Sequence, residues 1–142
     1  MYIACQNVHI EVVKYLVEHG ADINKEDNDG WTPLFNVCYD GHIEVVKYLV
    51  EHGADINKED KESWTPLFIA CQEEHIEVVK YLVEHGADIN KEDNDGATPL
   101  YIACFNEQVV KYLVEHEADI NKEADGGFTP LYIACQNGHI EV

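Results

Sequence analysis

A repeated unit of about 33 residues is the feature of this sequence that most limits what it can fold into. The motif Thr-Pro-Leu recurs at spacings of 33, 33 and 31 residues, beginning at Thr32, Thr65, Thr98 and Thr129. The motif Tyr-Leu-Val-Glu-His recurs at the same spacings, beginning at Tyr15, Tyr48, Tyr81 and Tyr112. A period of this length is typical of a solenoid, in which short units stack and each unit contacts only its neighbours.

Each unit is predicted to contain two helices followed by a polar turn. In the unit that starts at Thr65, this threonine is a suitable N-cap and Pro66 suits the first helical position. A second helix is predicted from about Ile76 to His85, because its valines and leucine recur at helical spacing and Gly86 follows. Neither helix can bury its apolar stripe alone, so the units must stack to form a core.

Taken together, the motifs DG-x-TPL, GH-x-EVV-K-x-LV and GADIN resemble the ankyrin repeat over nearly the whole chain. The resemblance implies an all-α repeat solenoid, an ankyrin-type stack of helix-turn-helix units with short β-hairpin fingers. It also implies a protein-binding scaffold without catalytic activity, whose fingers and first helices line a concave groove. The predicted units are a truncated first unit at 1–31, units at 32–64 and 65–97, a short unit at 98–128 and a truncated last unit at 129–142.

The units depart from one another at positions that matter for backbone geometry. Non-glycine residues stand where other units have a turn glycine, at Val8, Ser63, Glu74 and Glu117. If these positions need a positive φ, each replacement costs on the order of 1 kcal/mol. The unit from Thr98 is two residues short between its helices and has lost the histidine found there in the others.

A second departure concerns the core. In the unit from Thr32, Asn36 and Val37 stand where the other units have isoleucine and alanine. The sequence therefore predicts one polar side chain close to the buried interior.

The charge of the chain is strongly negative. It has 28 acidic residues against 9 basic ones, a formal net charge of −19 with histidine neutral. Because such a surface repels phosphate, nucleic acid and anionic membranes are poor partners and a basic protein or peptide is a better one. The same charge also simply keeps a protein in solution, and that alternative stays open. No stretch is long and apolar enough for a membrane helix, which favours an intracellular, cytoplasmic location.

Repetition argues against a metal site, a cofactor site or an active site. The five cysteines and eight histidines recur once or twice per unit at equivalent positions, so they do not converge on one ion. The same holds for the carboxylates, whereas catalysis needs one unique group of residues. We therefore predict buried structural cysteines, no metal, no cofactor and no enzymatic activity.

Positions that differ between otherwise similar units are the best candidates for partner binding. They cluster at the finger tips and at the ends of the first helices, where aromatic rings alternate with carboxylates. The predicted partner-binding residues are Asp29, Trp31, Tyr39, Asp40, Glu62, Trp64, Gln72, Glu73, Asp95, Phe105, Asn106 and Phe128. Rings and carboxylates together suit a basic peptide, through contact area, cation–π contacts and ion pairs.

Two alternatives remain open at the level of the sequence. The near-identity of the units fits a structural spacer or spring in a longer array, with no specific ligand. The finger aromatics, in turn, could serve only to pack on the neighbouring finger. Finally, neither end of the chain resembles a polar capping repeat, so end-to-end self-association through the terminal units is a further expectation.

Overall fold

A computed structural model describes residues 9–138 of the chain, and these residues form a stack of paired α-helices. The helices are α1 (Ile10–Glu18), α2 (Pro33–Asp40), α3 (Ile43–Glu51), α4 (Pro66–Gln72), α5 (Ile76–Glu84), α6 (Pro99–Ile102), α7 (Glu107–Glu115) and α8 (Pro130–Gln136). The even-numbered helices are the first helices of their units and the odd-numbered ones are the second. The all-α repeat solenoid expected from the sequence is confirmed.

Each first helix begins as the Thr-Pro-Leu motif predicts. The hydroxyl of Thr32 accepts a hydrogen bond from the Phe35 backbone N–H at 3.3 Å, and that of Thr65 accepts from Phe68 at 3.2 Å. Proline occupies the first helical position in all four described first helices. The N-cap thus satisfies one of the free N–H groups that a helix start leaves, and proline removes another.

The main hydrophobic core runs through the stack from α1 to α7. Leucines of both helix types are completely buried, among them Leu34, Leu49, Leu67 and Leu82. Each second helix contacts the second helix of the next unit, so that α1 packs on α3, α3 on α5 and α5 on α7. Since burying one leucine side chain stabilises a fold by roughly 1.5–3 kcal/mol, stacking is the main source of stability.

The fingers between units are hydrogen-bonded turns. In the finger of residues 27–31, the Asp27 N–H donates to the Trp31 carbonyl at 2.9 Å, and the Gly30 N–H donates to the Asp27 carbonyl at 3.2 Å. The next finger repeats the first of these bonds between Asp60 and Trp64 at 3.0 Å. Within residues 9–138 the only β-pairing is an isolated bridge between Ala124 and Phe128, so the expected hairpins are very short.

Consecutive units are joined by a repeated side-chain bridge. The Asn24 side-chain oxygen accepts from the Asp55 backbone N–H at 2.8 Å, while its amide nitrogen donates to the Gly53 carbonyl at 3.1 Å. Asn57 makes the same two bonds to Asp88 and Gly86. These asparagines therefore hold each unit in register with the next.

The prediction that the replaced glycine positions need positive φ is confirmed for three of them. The φ angles are 60° at Ser63, 62° at Glu74 and 69° at Glu117, whereas Val8 lies outside the described residues. Glu117 occupies the helix-ending position that Gly53 and Gly86 fill in other units, with φ values of 96° and 95°. An L-residue is strained in this region, so residues 9–138 contain three strained turns.

Replacing Glu117 with glycine is therefore expected to raise the free energy of unfolding by about 1 kcal/mol. The reverse change, Gly53→Glu, should lower it by a similar amount. Nothing lies within 4 Å of a Cβ built at Gly53, so the cost of this change comes from backbone strain and not from a steric clash at Cβ. Urea unfolding followed by circular dichroism measures both changes, and equal signs for the two variants would contradict the explanation.

The short unit adapts to its deletion by changing how its second helix starts. Its first helix, α6, has only four residues, and a turn leads directly to Asn106. The Asn106 side chain caps α7 by accepting from the Val109 N–H at 3.0 Å. By contrast, His9, His42 and His75 precede their helices without a side-chain capping bond. A side-chain cap thus replaces the longer interhelical loop of the other units.

Candidate functional site

The first two fingers, residues 27–31 and 60–64, border a surface cavity of about 280 Å³. The residues that line it are Asp29, Trp31, Asp60, Lys61, Glu62 and Trp64. Four of these six were predicted from the sequence as partner-binding residues, and the structure brings them together. Asp60 and Lys61 were not predicted.

Trp31 forms one wall of the cavity and is held from both sides. Its indole N–H donates to the Asp60 carboxylate at 3.2 Å, across the gap to the next finger. Its ring centroid lies 4.6 Å from that of Phe35 and 5.7 Å from that of Tyr39. The side chain is half-buried, so one part of the ring is fixed by packing and another part is accessible.

The second tryptophan repeats this arrangement one unit further along. The Trp64 indole N–H donates to the Asp93 carboxylate at 3.2 Å, and its ring stacks on Phe68 at 5.3 Å. The third finger breaks the series, because its equivalent residue is the small, buried Ala97. Phe128 in the fourth finger is 38% exposed and packs on Tyr132, with 4.9 Å between ring centroids.

Asp60 is important to the geometry and is not free to bind a partner. One of its carboxylate oxygens accepts from the Glu62 and Trp64 backbone N–H groups, both at 2.9 Å. The other oxygen accepts the Trp31 indole N–H. In the sequence alone, this aspartate is one of many repeated acidic residues. A constant spacing in the sequence could have identified it. In both fingers the aspartate stands four residues before the tryptophan, as Asp27 does before Trp31 and Asp60 before Trp64.

Three carboxylates at the finger tips remain available to a partner. Asp29, Glu62 and Asp95 are exposed, and within residues 9–138 none of their side chains forms a hydrogen bond or an ion pair. Their backbone carbonyls, however, are used. Those of Asp29, Glu62 and Asp95 accept from the N–H groups of the following finger at 3.4, 3.1 and 2.8 Å. The tips therefore present fixed rows of unpaired negative charge.

The predicted residues at the ends of the first helices lie outside this cavity. Tyr39 is 42% exposed and contacts Trp31, which connects it to the cavity wall. Gln72 and Phe105 are exposed, Glu73 and Asp40 are half-buried, and the Asp40 carboxylate lies 4.0 Å from the His42 ring nitrogen. The side-chain oxygen of Asn106 already serves as the cap of α7, so only the remaining part of this residue faces outward.

The cysteines behave mostly as small core residues. Cys38, Cys71 and Cys104 are buried, and burial raises the pKa of each thiol, to about 11 for Cys104. Cys135 is exposed, which differs from the expectation for this position, because no described helix covers that side of α8. The described part of the chain contains no group of three His, Cys, Asp or Glu residues that could hold a metal ion.

The histidines at the ends of the second helices share one arrangement. In His52, for example, the Nδ1 atom lies 2.8 Å from the Tyr48 carbonyl, and the imidazole stacks on the Tyr48 ring at 4.0 Å. The same contacts occur at His19, His85 and His116. Because a carbonyl can only accept, Nδ1 carries a proton in each. Each imidazole therefore adds a side-chain hydrogen bond to the last turn of its helix.

Comparison with known proteins identifies the family of this stack. A family model described as "Ankyrin repeats (3 copies)" matches residues 1–93 and 89–142. The chain belongs to the ankyrin-repeat family. Members of this family are generally protein–protein interaction modules and are typically non-enzymatic.

A local similarity to a curated protein is also found. Over 25 residues, the chain is 68% identical to "Potassium channel AKT1" from Arabidopsis thaliana. The matched stretch amounts to 18% of this chain and 3% of the channel. Within the described part of this ankyrin-repeat chain, no helix is both long and apolar enough to cross a membrane.

Proposed function

We propose that this ankyrin-repeat chain is a non-catalytic module that binds a basic protein or peptide through its finger tips and the adjoining groove. The observation that carries the proposal is the cavity between two fingers, with the rings of Trp31 and Trp64 and the carboxylates of Asp29 and Glu62 around it. A lysine or arginine side chain suits such a cavity, because the aromatic ring and the carboxylates both attract a cation.

The charge of the whole chain supports this class of partner. A net charge of −19 speeds the encounter with a basic ligand and repels nucleic acid. Three of the lysines are already engaged between units, since Lys58, Lys91 and Lys122 lie 3.1–3.3 Å from glutamates of the preceding unit. The carboxylates of Asp29, Glu62 and Asp95 form no ion pair within residues 9–138, and Lys61 is the one basic side chain that lines the cavity.

The experiment is a titration with lysine- and arginine-rich peptides, followed by the fluorescence of the two tryptophans. Binding should weaken steeply with added salt. The triple variant Asp29→Asn, Glu62→Gln, Asp95→Asn should lose most of the affinity and keep its thermal stability, because these side chains are exposed and unpaired. Asp22→Asn, Asp55→Asn and Asp88→Asn together remove the same charge away from the cavity. An equal loss of affinity in both triple variants would show that only the net charge matters, and it would contradict a specific site.

The structural spacer is a second candidate, and one observation favours it. Both indole N–H groups bond to the next finger at 3.2 Å, so the tryptophans contribute to the stack itself. The Trp31→Ala, Trp64→Ala double variant separates the two functions. If the chain is a spacer, the double variant should have a lower melting temperature and should lose no binding partner. Recognition predicts loss of peptide binding at temperatures where circular dichroism shows the double variant folded.

A further inference from the structure

Lys61 is the residue of the finger cavity that the proposed function does not yet use. It is the one basic residue among the six that line the cavity, and its neighbours there include the acidic Asp29, Asp60 and Glu62. The other fingers have an uncharged or acidic residue at the equivalent position, namely Asn28, Asn94 and Asp125. A positive charge within this acidic surface is therefore particular to the second finger, residues 60–64.

The backbone of Lys61 is held by both neighbouring fingers. Its N–H donates to the Asp29 carbonyl at 3.4 Å, and its carbonyl accepts from the Asn94 side-chain amide at 3.1 Å. The side-chain oxygen of Asn94 also accepts from the Ser63 hydroxyl at 2.8 Å, which ties the second finger to the third. The position from which the Lys61 side chain extends is therefore fixed beside the cavity.

The side chain of Lys61, in contrast, is available to a partner. It is exposed, and within residues 9–138 its ammonium group forms no hydrogen bond and no ion pair. Asn94, at the equivalent place in the third finger, uses its side chain to bond back to the second finger. No such side-chain bond runs from Lys61 to the first finger. Lys61 thus leaves the gap between the first two fingers open and adds a positive charge to it.

The cavity therefore presents charges of both signs to a partner. The Asp60 carboxylate is occupied by the Trp31 indole and by two backbone N–H groups, so the available negative charges are those of Asp29 and Glu62. A purely basic segment would bring a cation close to the Lys61 ammonium, and like charges at this distance repel. A segment that also carries a carboxylate turns this repulsion into attraction.

We infer that the cavity binds a partner segment with a basic and an acidic side chain close together, and that Lys61 pairs with the acidic one. The basic side chain lies against the indole rings, beside Asp29 and Glu62. In an extended segment, side chains two residues apart point to the same side, about 7 Å from each other, so the expected pattern is basic-x-acidic. This inference rests on the proposed function and adds to it the charge pattern of the partner.

The test compares two arginine-rich peptides of identical composition by the fluorescence of the two tryptophans. In one peptide a glutamate stands two residues after the central arginine, and in the other it is moved to the far end, beyond a glycine–serine spacer. The chain should bind the first peptide about two- to fivefold more tightly, the size expected of one exposed ion pair. Because the net charges are equal, the overall charge of the chain does not contribute to this difference.

Variants of Lys61 assign the preference to this residue. In Lys61→Gln the two peptides should bind equally well, and in Lys61→Glu the peptide with the distant glutamate should bind more tightly. Lys25→Gln is the matched control, because Lys25 is exposed and does not line the cavity. This variant removes the same charge and should keep the preference of the unchanged chain. Circular dichroism checks that all three variants are folded.

The outcomes separate this inference from the proposed function. If the unchanged chain binds both peptides equally well, the inference is overturned and the proposed function stands. A preference that persists in Lys61→Gln, or that is lost in Lys25→Gln, also overturns the inference, because the acidic side chain then does not pair with Lys61. If neither peptide binds, the proposed function fails and the inference fails with it.

Discussion

The change Gly41→Ala is expected to lower the free energy of unfolding by about 2–4 kcal/mol, the sum of backbone strain, a steric clash and a lost hydrogen bond. Gly41 has a φ of 76°, where an L-residue is strained. A Cβ built there lies 2.6 Å from the Nδ1 atom of His75 in the next unit. Moving the His75 ring away breaks its 2.9 Å contact with the Tyr39 carbonyl.

Two comparison variants separate these contributions. Gly53→Ala has the same kind of backbone strain without a neighbour within 4 Å, and should cost only about 1 kcal/mol. In the His75→Ala background, the cost of Gly41→Ala in free energy of unfolding should also fall to about 1 kcal/mol. The difference between the two backgrounds is the coupling free energy between the two units, which a double-mutant cycle in urea measures. Equal effects of Gly41→Ala in both backgrounds would show that the ring does not restrict this position.

The same contact explains an exception within the chain itself. Glu74 occupies the position of Gly41 in the next unit and has a φ of 62°. The unit that follows it has lost the histidine through its two-residue deletion. With no ring in the way, only the strain of the backbone remains, and a larger residue is tolerated. Two departures from the repeat, which look unrelated in the sequence, therefore belong to one interface.

The change Asn36→Ile is expected to raise the free energy of unfolding by about 1–3 kcal/mol. Asn36 is only 2% exposed, and within the described residues its amide nitrogen has no hydrogen-bond partner. Isoleucine fills the equivalent place at Ile69, Ile102 and Ile133, so its shape suits the position. The gain combines removal of an unsatisfied polar group with added apolar burial.

The reverse substitution is the matched control. Ile69 is 1% exposed, and Ile69→Asn should destabilise the stack by at least the amount that Asn36→Ile stabilises it. Thermal and urea midpoints of both variants against the unchanged chain provide the measurement. No change in Asn36→Ile would indicate that the Asn36 amide is satisfied by groups outside the described residues.

Local features of this fold were predictable from the sequence, because short-range chemistry determines them. Thr65 and Pro66 define a helix start through one side-chain oxygen and one fixed φ. The need for positive φ at Ser63, Glu74 and Glu117 follows from comparison with glycines at equivalent positions. The buried position of Asn36 follows from the isoleucines in other units.

The contacts between fingers were not predictable in the same way. The bond from the Trp31 indole to Asp60 joins residues 29 positions apart. It depends on the distance between stacked units, which no single unit encodes. The length of α6 was also missed, because the deletion shortens the first helix where the sequence suggested only a shorter loop. The partner-binding role of the finger residues remains a prediction.

The inter-unit bridges have a consequence for how the molecule comes apart. Bonds such as Asn24 to Asp55 and Asn57 to Asp88 join only adjacent units, and no unit contacts one two places away through them. In such a chain the coupling free energy between neighbouring units is set separately at each junction, so it can differ from one junction to the next. Because α6 has only four residues against eight in α2, we expect the junction between α6 and α8 to open more readily than the junction between α2 and α4.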